Sequence, residues 1–216
     1  MPTTAKEDYL KALYFLDREN SRISMTDLSN KLAVSKPTAN NMIKNLEEHG
    51  WVIYRKYQPV ELTEAGRKMA ALIIRKHRLT EMFLHEVMGF GWEEVHEIAE
   101  QIEHIHSEKL FTRMDEMLNY PASDPHGSPI PDKQGNIPEQ QYQTLVDVPV
   151  GGKVRLCALG ASSANLLHYL NRNQIQLGTS IEILKIEPFD HSLLISCDDK
   201  TPLMISRKVG ESLLVE

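Results

Sequence analysis

The stretch that decides the fold of the front of the chain is Ser24-Met-Thr-Asp-Leu-Ser-Asn-Lys-Leu-Ala-Val-Ser35-Lys-Pro-Thr-Ala-Asn-Asn-Met-Ile-Lys-Asn-Leu-Glu-Glu-His-Gly50-Trp-Val-Ile-Tyr54. Ser24 precedes a short helical pattern. Ser35 can cap a second helix, and Pro37 suits its first turn because the missing proline N–H would have no intrahelical partner there. Gly50 is typical of a left-handed helix stop, after which the chain predicts a strand.

The flanking sequence extends this pattern to a winged helix-turn-helix over residues 1–62. Residues 4–17 place apolar side chains at helical spacing, and Val60–Leu62 predicts a second strand behind a basic hairpin tip at Arg55–Pro59. Although the net charge of the whole chain is −6, residues 1–60 carry nine lysines and arginines against seven acidic residues. Helix, helix, helix and hairpin, with local positive charge, indicate a DNA-binding domain.

Polar and basic side chains open the third helix and occupy the hairpin tip. In helix-turn-helix proteins the early turns of the third helix face base edges, while flanking cations reach the phosphates. The candidate DNA contacts are Ser35, Lys36, Pro37, Thr38, Asn40, Asn41, Lys44, Arg55 and Lys56. The alternative is a helical bundle with a polar outer face. A local excess of two charges predicts that a homodimer is needed for tight binding to a double-stranded, palindromic operator.

The rest of the chain predicts a second helical part and a C-terminal β part. A long helix starts at Thr63, an apolar candidate for the dimer surface or for the monomer core, and residues 63–119 form the helical domain. Residues 120–142 are rich in proline and predict a tether. In residues 143–216 we expect a helix near Ser162–Arg172 and a small β-barrel. The expected strands are Val146–Val150, Val154–Leu159, Ile181–Ile186, Leu193–Ser196 and Leu203–Ser206.

Composition excludes several classes of protein. No apolar run approaches the roughly 20 residues that cross a bilayer, and the first residues lack the apolar core of a secretory signal. We therefore expect a cytoplasmic protein. Cys157 and Cys197 are forty residues apart, which excludes a Cys-x-x-Cys zinc finger and favours free thiols in a reducing compartment. The fold class is mainly α with small β parts.

Candidate metal ligands concentrate in the acidic middle of the chain. As a helix, His96-Glu-Ile-Ala-Glu-Gln-Ile-Glu-His104 places His96, Glu100 and Glu103 in one stripe with His104 at its margin. His77 and Glu81 form another pair four residues apart, and Asp8 lies far upstream. Such donors from distant segments can bind a divalent metal after folding, whereas many glutamate-rich helix faces are simply solvated.

Several blocks together make the chain similar to the diphtheria-toxin repressor family of metal-dependent transcription regulators, essentially end to end. They are Glu7-Asp-Tyr-Leu10, Ser35-Lys-Pro-Thr38, Leu62-Thr-Glu-Ala-Gly66, Arg75-Lys-His-Arg-Leu79, Ile102-Glu-His104 and Asp124-Pro-His-Gly-Ser-Pro-Ile-Pro131. The resemblance implies a winged-helix domain, a helical dimerisation domain and a C-terminal barrel of the SH3 type, also found in FeoA-like domains. It also implies repression of metal-uptake genes by the metal-bound homodimer, and no enzymatic activity.

The resemblance also implies the sites. By position, the primary metal site consists of Asp8, Glu100, Glu103 and His104, and an ancillary site consists of His77, Glu81 and His96. In relatives of the streptococcal kind a second site draws on the loop after the dimerisation domain. That loop offers Asp124 and His126 here, and Glu81 could serve either arrangement.

Mn(II) is the expected metal and Fe(II) the alternative. The iron-responsive branch has Met and Cys where this chain has Asp8 and Glu100, and hard carboxylates favour Mn(II) over later transition ions. Lys11 stands where two-domain manganese regulators carry a ligating Glu, and an ammonium group cannot coordinate a metal. Ser162, Ser163 and Asn165 are weak donors where relatives contribute a further ligand from the barrel.

Two other functions remain open from the sequence. His96-Glu97-x-x-Glu100 partly matches the His-Glu-x-x-His pattern of zinc hydrolases, but its second histidine is replaced. A winged-helix regulator that senses an organic ligand or a partner would leave the acidic helix merely solvated. Metal binding discriminates this regulator from a metal-dependent one.

Overall fold

The computed structural model describes residues 2–19, 22–56, 58–198 and 200–216. Backbone contacts divide the chain into two compact units. The first unit comprises Met1–Thr80, Ala99–Met117 and Ile130–Pro138, and the second comprises Glu81–Ile98, Leu118–Pro129 and Glu139–Glu216. The predicted domain boundaries after residues 62, 119 and 142 do not coincide with the limits of these units, and they stay predictions.

The winged helix-turn-helix has the predicted order of elements. Its elements are α1 (Thr4–Glu19), α2 (Met25–Lys31), α3 (Lys36–Glu48), β1 (Val52–Ile53) and β2 (Glu61–Leu62). Ser24 and Asp27 form a capping box at the start of α2, and the Ser35 hydroxyl accepts the Thr38 N–H at the start of α3. These caps satisfy backbone donors that the helices cannot satisfy themselves. The prediction of Ser35 as a cap is confirmed.

A continuous apolar core holds the first unit together. Leucines of α1, α2 and α3 are fully buried in it, together with side chains of both strands and the first part of α4 (Glu64–Glu86). The Thr63 hydroxyl accepts the Gly66 N–H at 3.0 Å and so caps α4. A Cβ atom on Gly66 would lie 1.9 Å from the Trp51 carbonyl oxygen, so only glycine allows α4 to approach β1 this closely.

Two shorter helices follow α4. They are α5 (Val95–Ile102) and α6 (Glu108–Met117). The helix predicted to continue through His104 is therefore shorter than expected. Glu103 and His104 lie in the turn after α5, and the Glu103 N–H still donates to the Ala99 carbonyl at 2.9 Å.

The second unit contains a six-stranded antiparallel sheet with the strand order β3-β8-β4-β5-β6-β7. Its elements are β3 (Gln143–Thr144), β4 (Lys153–Leu159), α7 (Ala164–Arg172), β5 (Ser180–Ile186), β6 (Leu193–Cys197), β7 (Leu203–Ile205), α8 (Arg207–Ser212) and β8 (Leu213–Val215). The strand predicted at Val146–Val150 is wrong, because Leu145–Asp147 form a 3-10 turn and Val148 ends it. Strand β3, helix α8 and strand β8 were not predicted.

Trp92 belongs to the apolar core of the second unit although it precedes the sheet by fifty residues. Its side chain packs with buried residues of the strands and α7. The indole N–H donates to Asn171 Oδ1 at 2.7 Å, and the Asn171 amide donates to Glu93 Oε2 at 3.0 Å. The segment around Trp92 is therefore an integral part of this unit. No helix among the described residues is both long and apolar enough to cross a membrane.

Candidate metal centres and nucleic-acid interface

Three of the four predicted primary ligands converge in the first unit. Asp8 projects from α1, and Glu103 and His104 come from the turn after α5. One ligand atom from each lies within 4.8 Å of the others, and His104 Nε2 is 3.1 Å from Asp8 Oδ1. Oxygen and imidazole donors at this spacing suit a divalent ion. We call Asp8, Glu103 and His104 the first cluster.

The two oxygens of the Glu103 carboxylate have different surroundings: one accepts hydrogen bonds, and the other has no hydrogen-bond partner among the described residues. Its side chain is completely buried. His77 Nδ1 donates to Oε2 at 2.5 Å, and Lys11 Nζ donates to the same oxygen at 2.7 Å. Oε1, which is on the His104 side, has no hydrogen-bond partner among the described residues. A buried carboxylate oxygen without a partner is costly, so this geometry fits a bound cation.

Charges around Glu103 keep it ionised. Burial by itself raises the pKa of Glu103, but the hydrogen bond from His77 and the positive charge of Lys11 outweigh burial and lower that pKa. Asp8 differs, because burial raises its pKa and neighbouring carboxylates, including Glu103, raise it further against the opposing effect of His104. A bound cation would oppose this rise in the pKa of Asp8, because positive charge favours the ionised carboxylate.

Glu7 orients the imidazole of His104. Its side chain is buried, with 2% of the residue exposed, and its Oε2 accepts the His104 Nδ1–H at 2.7 Å. Because Nδ1 carries the proton, Nε2 presents its lone pair toward Asp8 and Glu103. An acceptor behind the ring is the usual partner of a metal-binding histidine.

Glu100, the fourth predicted primary ligand, is engaged by a lysine. Lys11 Nζ donates to Glu100 Oε1 at 2.5 Å, and the Glu100 side chain is 40% exposed. The ligand atoms that lie within 4.8 Å of one another in the first cluster do not include those of Glu100. Of the four predicted primary ligands, three therefore lie close together, and the fourth, Glu100, is hydrogen-bonded to the ammonium group of Lys11.

A second cluster lies wholly in the second unit and consists of Glu81, Asp124 and His126. All three residues are buried, and one ligand atom from each lies within 4.8 Å of the others. His126 Nδ1 is 3.9 Å from Glu81 Oε2 and 3.9 Å from Asp124 Oδ1. Two buried carboxylates beside an imidazole are a further set of donors that fits a divalent ion.

The tautomer of His126 is fixed by the backbone. Its Nε2 lies 2.9 Å from the Trp92 carbonyl oxygen, which can only accept a hydrogen bond. Nε2 therefore carries the proton, and Nδ1 presents a lone pair toward the carboxylates of the second cluster. The ring of His126 also stacks on Trp92, with centroids 6.0 Å apart.

The loop that carries Asp124 and His126 of the second cluster is packed and ordered by its own hydrogen bonds. Asp124 Oδ1 accepts the backbone N–H groups of His126 and Ser128 at 2.8 and 2.9 Å. Gly127 has a φ of +84°, and a Cβ atom there would lie 2.3 Å from the Cys157 carbonyl oxygen. In these residues the segment predicted as a tether is a turn fitted closely against strand β4.

The other predicted ancillary ligands are placed in different surroundings. His77 belongs to the first unit, where it donates to Glu103. His96 belongs to the second unit, where its Nδ1 lies 3.3 Å from Glu81 Oε1 and its side chain is 55% exposed. The set of His77, Glu81 and His96 draws on both units and stays a prediction.

The predicted DNA contacts form an exposed polar surface on α3 and the hairpin. The exposed members are Ser35, Lys36, Pro37, Thr38, Asn41, Lys44, Arg55 and Lys56. Asn40 is half-buried, and its Oδ1 accepts the Tyr54 hydroxyl at 2.7 Å, which ties α3 to the hairpin. Asn40 therefore has a structural contact that the sequence did not indicate.

Sequence reasoning assigned no role to three residues that shape these centres. Glu7 orients His104, Lys11 bridges Glu100 and Glu103, and Trp92 supplies the carbonyl that fixes His126. Signals existed for two of them. Lys11 stands where two-domain manganese regulators carry a ligating Glu, and Glu7 is an acidic residue on the buried side of an amphipathic helix, where it needs a partner.

Family models match almost the whole chain. The N-terminal DNA binding domain of iron dependent repressors matches residues 1–60. The metal binding and dimerisation domain of iron dependent repressors matches residues 63–132, and the FeoA domain matches residues 143–216.

Individual relatives agree with these matches. The iron-dependent repressor IdeR of Mycobacterium tuberculosis is 31% identical over 185 residues, which cover 86% of this chain and 72% of that protein. The diphtheria toxin repressor of Corynebacterium glutamicum is 28% identical, with 82% of each chain covered.

Solved structures extend the similarity to manganese regulators. A manganese-dependent transcriptional repressor in complex with manganese has a TM-score of 0.88 at 30% identity, covering 97% of this chain and 98% of that one. The manganese regulator SloR has a TM-score of 0.78 at 32% identity, covering 100% of this chain and 99% of that one. The chain therefore belongs to the iron-dependent and diphtheria toxin repressor family of metal-dependent transcriptional repressors.

Proposed function

We propose that this protein is an Mn(II)-activated repressor that binds palindromic operators of metal-uptake genes as a cytoplasmic homodimer. The observation that carries the proposal is the buried Glu103 Oε1, which has no hydrogen-bond partner among the described residues and lies 3.9 Å from His104 Nε2. Three ligands from two distant segments meet there, and a bound ion would supply the missing partner of this oxygen.

The donor types support manganese. The first cluster offers two carboxylates and one imidazole, and the second cluster offers the same combination. Neither contains sulfur, and oxygen-rich sites suit Mn(II) better than thiolate sites do. Fe(II) is the second candidate, because the repressor IdeR, which is 31% identical, is named as iron-dependent.

Asp8 supplies the link between metal and DNA. It lies on α1, whose leucines pack into the same core as α2 and the recognition helix α3. A ligand set that joins α1 to the turn after α5 favours one orientation of the winged helix. A metal that binds this form tenfold better shifts the equilibrium by about 1.4 kcal/mol. Operator half-sites lie about 34 Å apart, so a small rotation is enough to lose one of them.

Two further points concern partners and activity. The chain matches a family model described as a metal binding and dimerisation domain, which supports a homodimer. Relatives are named as transcriptional repressors, which supports a regulatory rather than a catalytic role for His96, Glu97 and Glu100.

A mobility-shift titration tests the proposal. DNA from upstream of a metal-uptake gene is titrated with the protein at fixed free Mn(II), fixed free Fe(II) and no metal. We expect tight binding with Mn(II) and weak binding without metal. Stronger activation by Fe(II) would select the iron alternative, and binding independent of both metals would overturn the proposal in favour of a non-metal regulator.

A further inference from the structure

Lys11 places a positive charge inside the metal-binding region of the first unit. It lies on α1, one helical turn after Asp8, and its side chain is only 11% exposed. Its Nζ donates to Glu100 Oε1 at 2.5 Å and to Glu103 Oε2 at 2.7 Å. The same nitrogen is 3.2 Å from His77 Nδ1. The ammonium group therefore occupies a position among donors that could otherwise hold a cation.

The two carboxylates respond differently to this lysine. Glu103 accepts the hydrogen bond from Lys11 with Oε2, whereas Oε1 lies on the His104 side without a hydrogen-bond partner among the described residues. The contact with Lys11 therefore leaves Oε1 open to a metal ion. Glu100 Oε1 accepts a hydrogen bond from Lys11 at 2.5 Å, and Glu100 is not among the residues whose ligand atoms meet in the first cluster. Lys11 thus holds Glu103 in a position where it can bind a metal, and it keeps Glu100 away from the first cluster.

We propose that Lys11 is a positioning residue that sets the metal threshold of the first cluster. Its ammonium group holds Glu100 outside the cluster, and an incoming divalent ion recruits Glu100 only by replacing that ammonium group. This inference rests on the proposed function, because it requires that the first cluster binds the metal.

Electrostatics gives the direction of the effect. A unit charge within about 4–6 Å changes the proton affinity of a neighbouring group by about 1–3 pKa units. A divalent ion carries twice the charge of a proton, and the ammonium group both repels it and competes for Glu100. Removal of the Lys11 charge is therefore expected to tighten Mn(II) binding at the first cluster by about tenfold or more.

The experiment is equilibrium dialysis of the full chain against Mn(II). Lys11→Met removes the charge and keeps most of the side-chain length, whereas Lys11→Arg keeps the charge. Lys6→Met removes one charge from a half-buried position earlier on the same helix, where Nζ lies 3.3 Å from His49 Nε2. Asp8→Asn identifies which binding step belongs to the first cluster.

We expect Lys11→Met to bind Mn(II) at the first cluster about tenfold or more tightly than the parent protein, with Lys6→Met and Lys11→Arg close to the parent. The Mn(II)-induced rise in melting temperature should also be larger in Lys11→Met, because its metal-free form has lost the cation between two carboxylates. If Lys11→Met does not fold, Lys11→Gln replaces it in the test, because glutamine keeps a hydrogen-bond donor without the charge. We expect the same tightening of Mn(II) binding in that variant.

Three results would overturn the inference. Unchanged or weaker binding in both uncharged variants would mean that Lys11 only supports Glu103. Equal tightening in Lys6→Met would mean that net charge alone is responsible. If Asp8→Asn removes no Mn(II)-binding step that the parent protein shows, the first cluster does not bind the metal, and the proposed function fails together with the inference. The first two results leave that function intact.

Discussion

The two clusters offer the same donors, two carboxylates and an imidazole, but the protein holds them in different ways. In the first cluster, side chains hold side chains: Glu7 orients His104, and Lys11 and His77 hold Glu103. In the second cluster backbone groups orient two of the side chains. The Trp92 carbonyl accepts a hydrogen bond from His126, and two backbone N–H groups donate to Asp124.

Exposure separates the two clusters further. The Asp8 side chain is 40% exposed, whereas no side chain of the second cluster is more than 4% exposed. A site that uses an accessible ligand from the DNA-binding part can respond to the free metal concentration. A site enclosed by a fitted loop contributes more to the stability of the folded unit. We therefore propose a switching role for the first cluster and a stabilising role for the second.

The largest expected effect concerns the loop of the second cluster. In Gly127→Ala, a methyl group meets the Cys157 carbonyl oxygen and the backbone keeps a φ of +84°. We expect the free energy of unfolding to fall by about 3 kcal/mol or more, measured by urea denaturation.

Gly151→Ala is the matched control for this loop. Its φ is +83°, but no atom lies within 4 Å of the added Cβ. We expect a loss of about 1 kcal/mol from the backbone conformation alone. Equal losses in the two variants would show that the loop is not fitted against β4.

Glu81→Gln should weaken Mn(II) binding at the second cluster by about 100-fold, because a ligating carboxylate is worth at least as much as the partners behind it. Calorimetry should then show one binding step lost and the step of the first cluster unchanged. Glu86→Gln, on the same helix with a side chain that is 54% exposed, is the control. Loss of both steps would contradict the separation of the clusters.

Glu7→Gln should weaken Mn(II) binding at the first cluster by about tenfold, because the amide is a poorer acceptor for the His104 ring. Equilibrium dialysis measures this change, with Glu19→Gln at the exposed end of the same helix as the control. Unchanged affinity would mean that His104 is oriented without Glu7, and the first cluster would then resemble the second in depending on backbone contacts.

Sequence patterns predicted the elements whose signals are local. Ser35 and Pro37 marked the start of α3, and alternating apolar residues marked β4 to β7. The prediction failed at Val146–Val150, where an apolar run turns as a 3-10 helix. It also missed α8 and β8, because a six-residue helix that contains Gly210 and a three-residue strand give too little periodicity.

The candidate ligands were predictable as residue types, but not their partners. The family pattern placed Asp8, Glu103 and His104 in one group, and ligand atoms of these three residues lie close together. It also placed Glu100 there without indicating its ion pair with Lys11. Contacts between α1 and the residues after α5 depend on tertiary packing across about ninety residues. Local periodicity contains no information on which oxygen of Glu103 is held and which is open.

Mn(II)-dependent DNA binding by Asp8→Ala tests the central claim most directly, namely that the first cluster switches the DNA-binding part. Mobility shifts with operator DNA are measured across free Mn(II) for the parent protein, Asp8→Ala and the control Glu19→Ala. We predict that Asp8→Ala needs at least about 100-fold more Mn(II) for the same binding, or does not respond, while Glu19→Ala behaves as the parent. An unchanged Mn(II) dependence in Asp8→Ala would contradict the account.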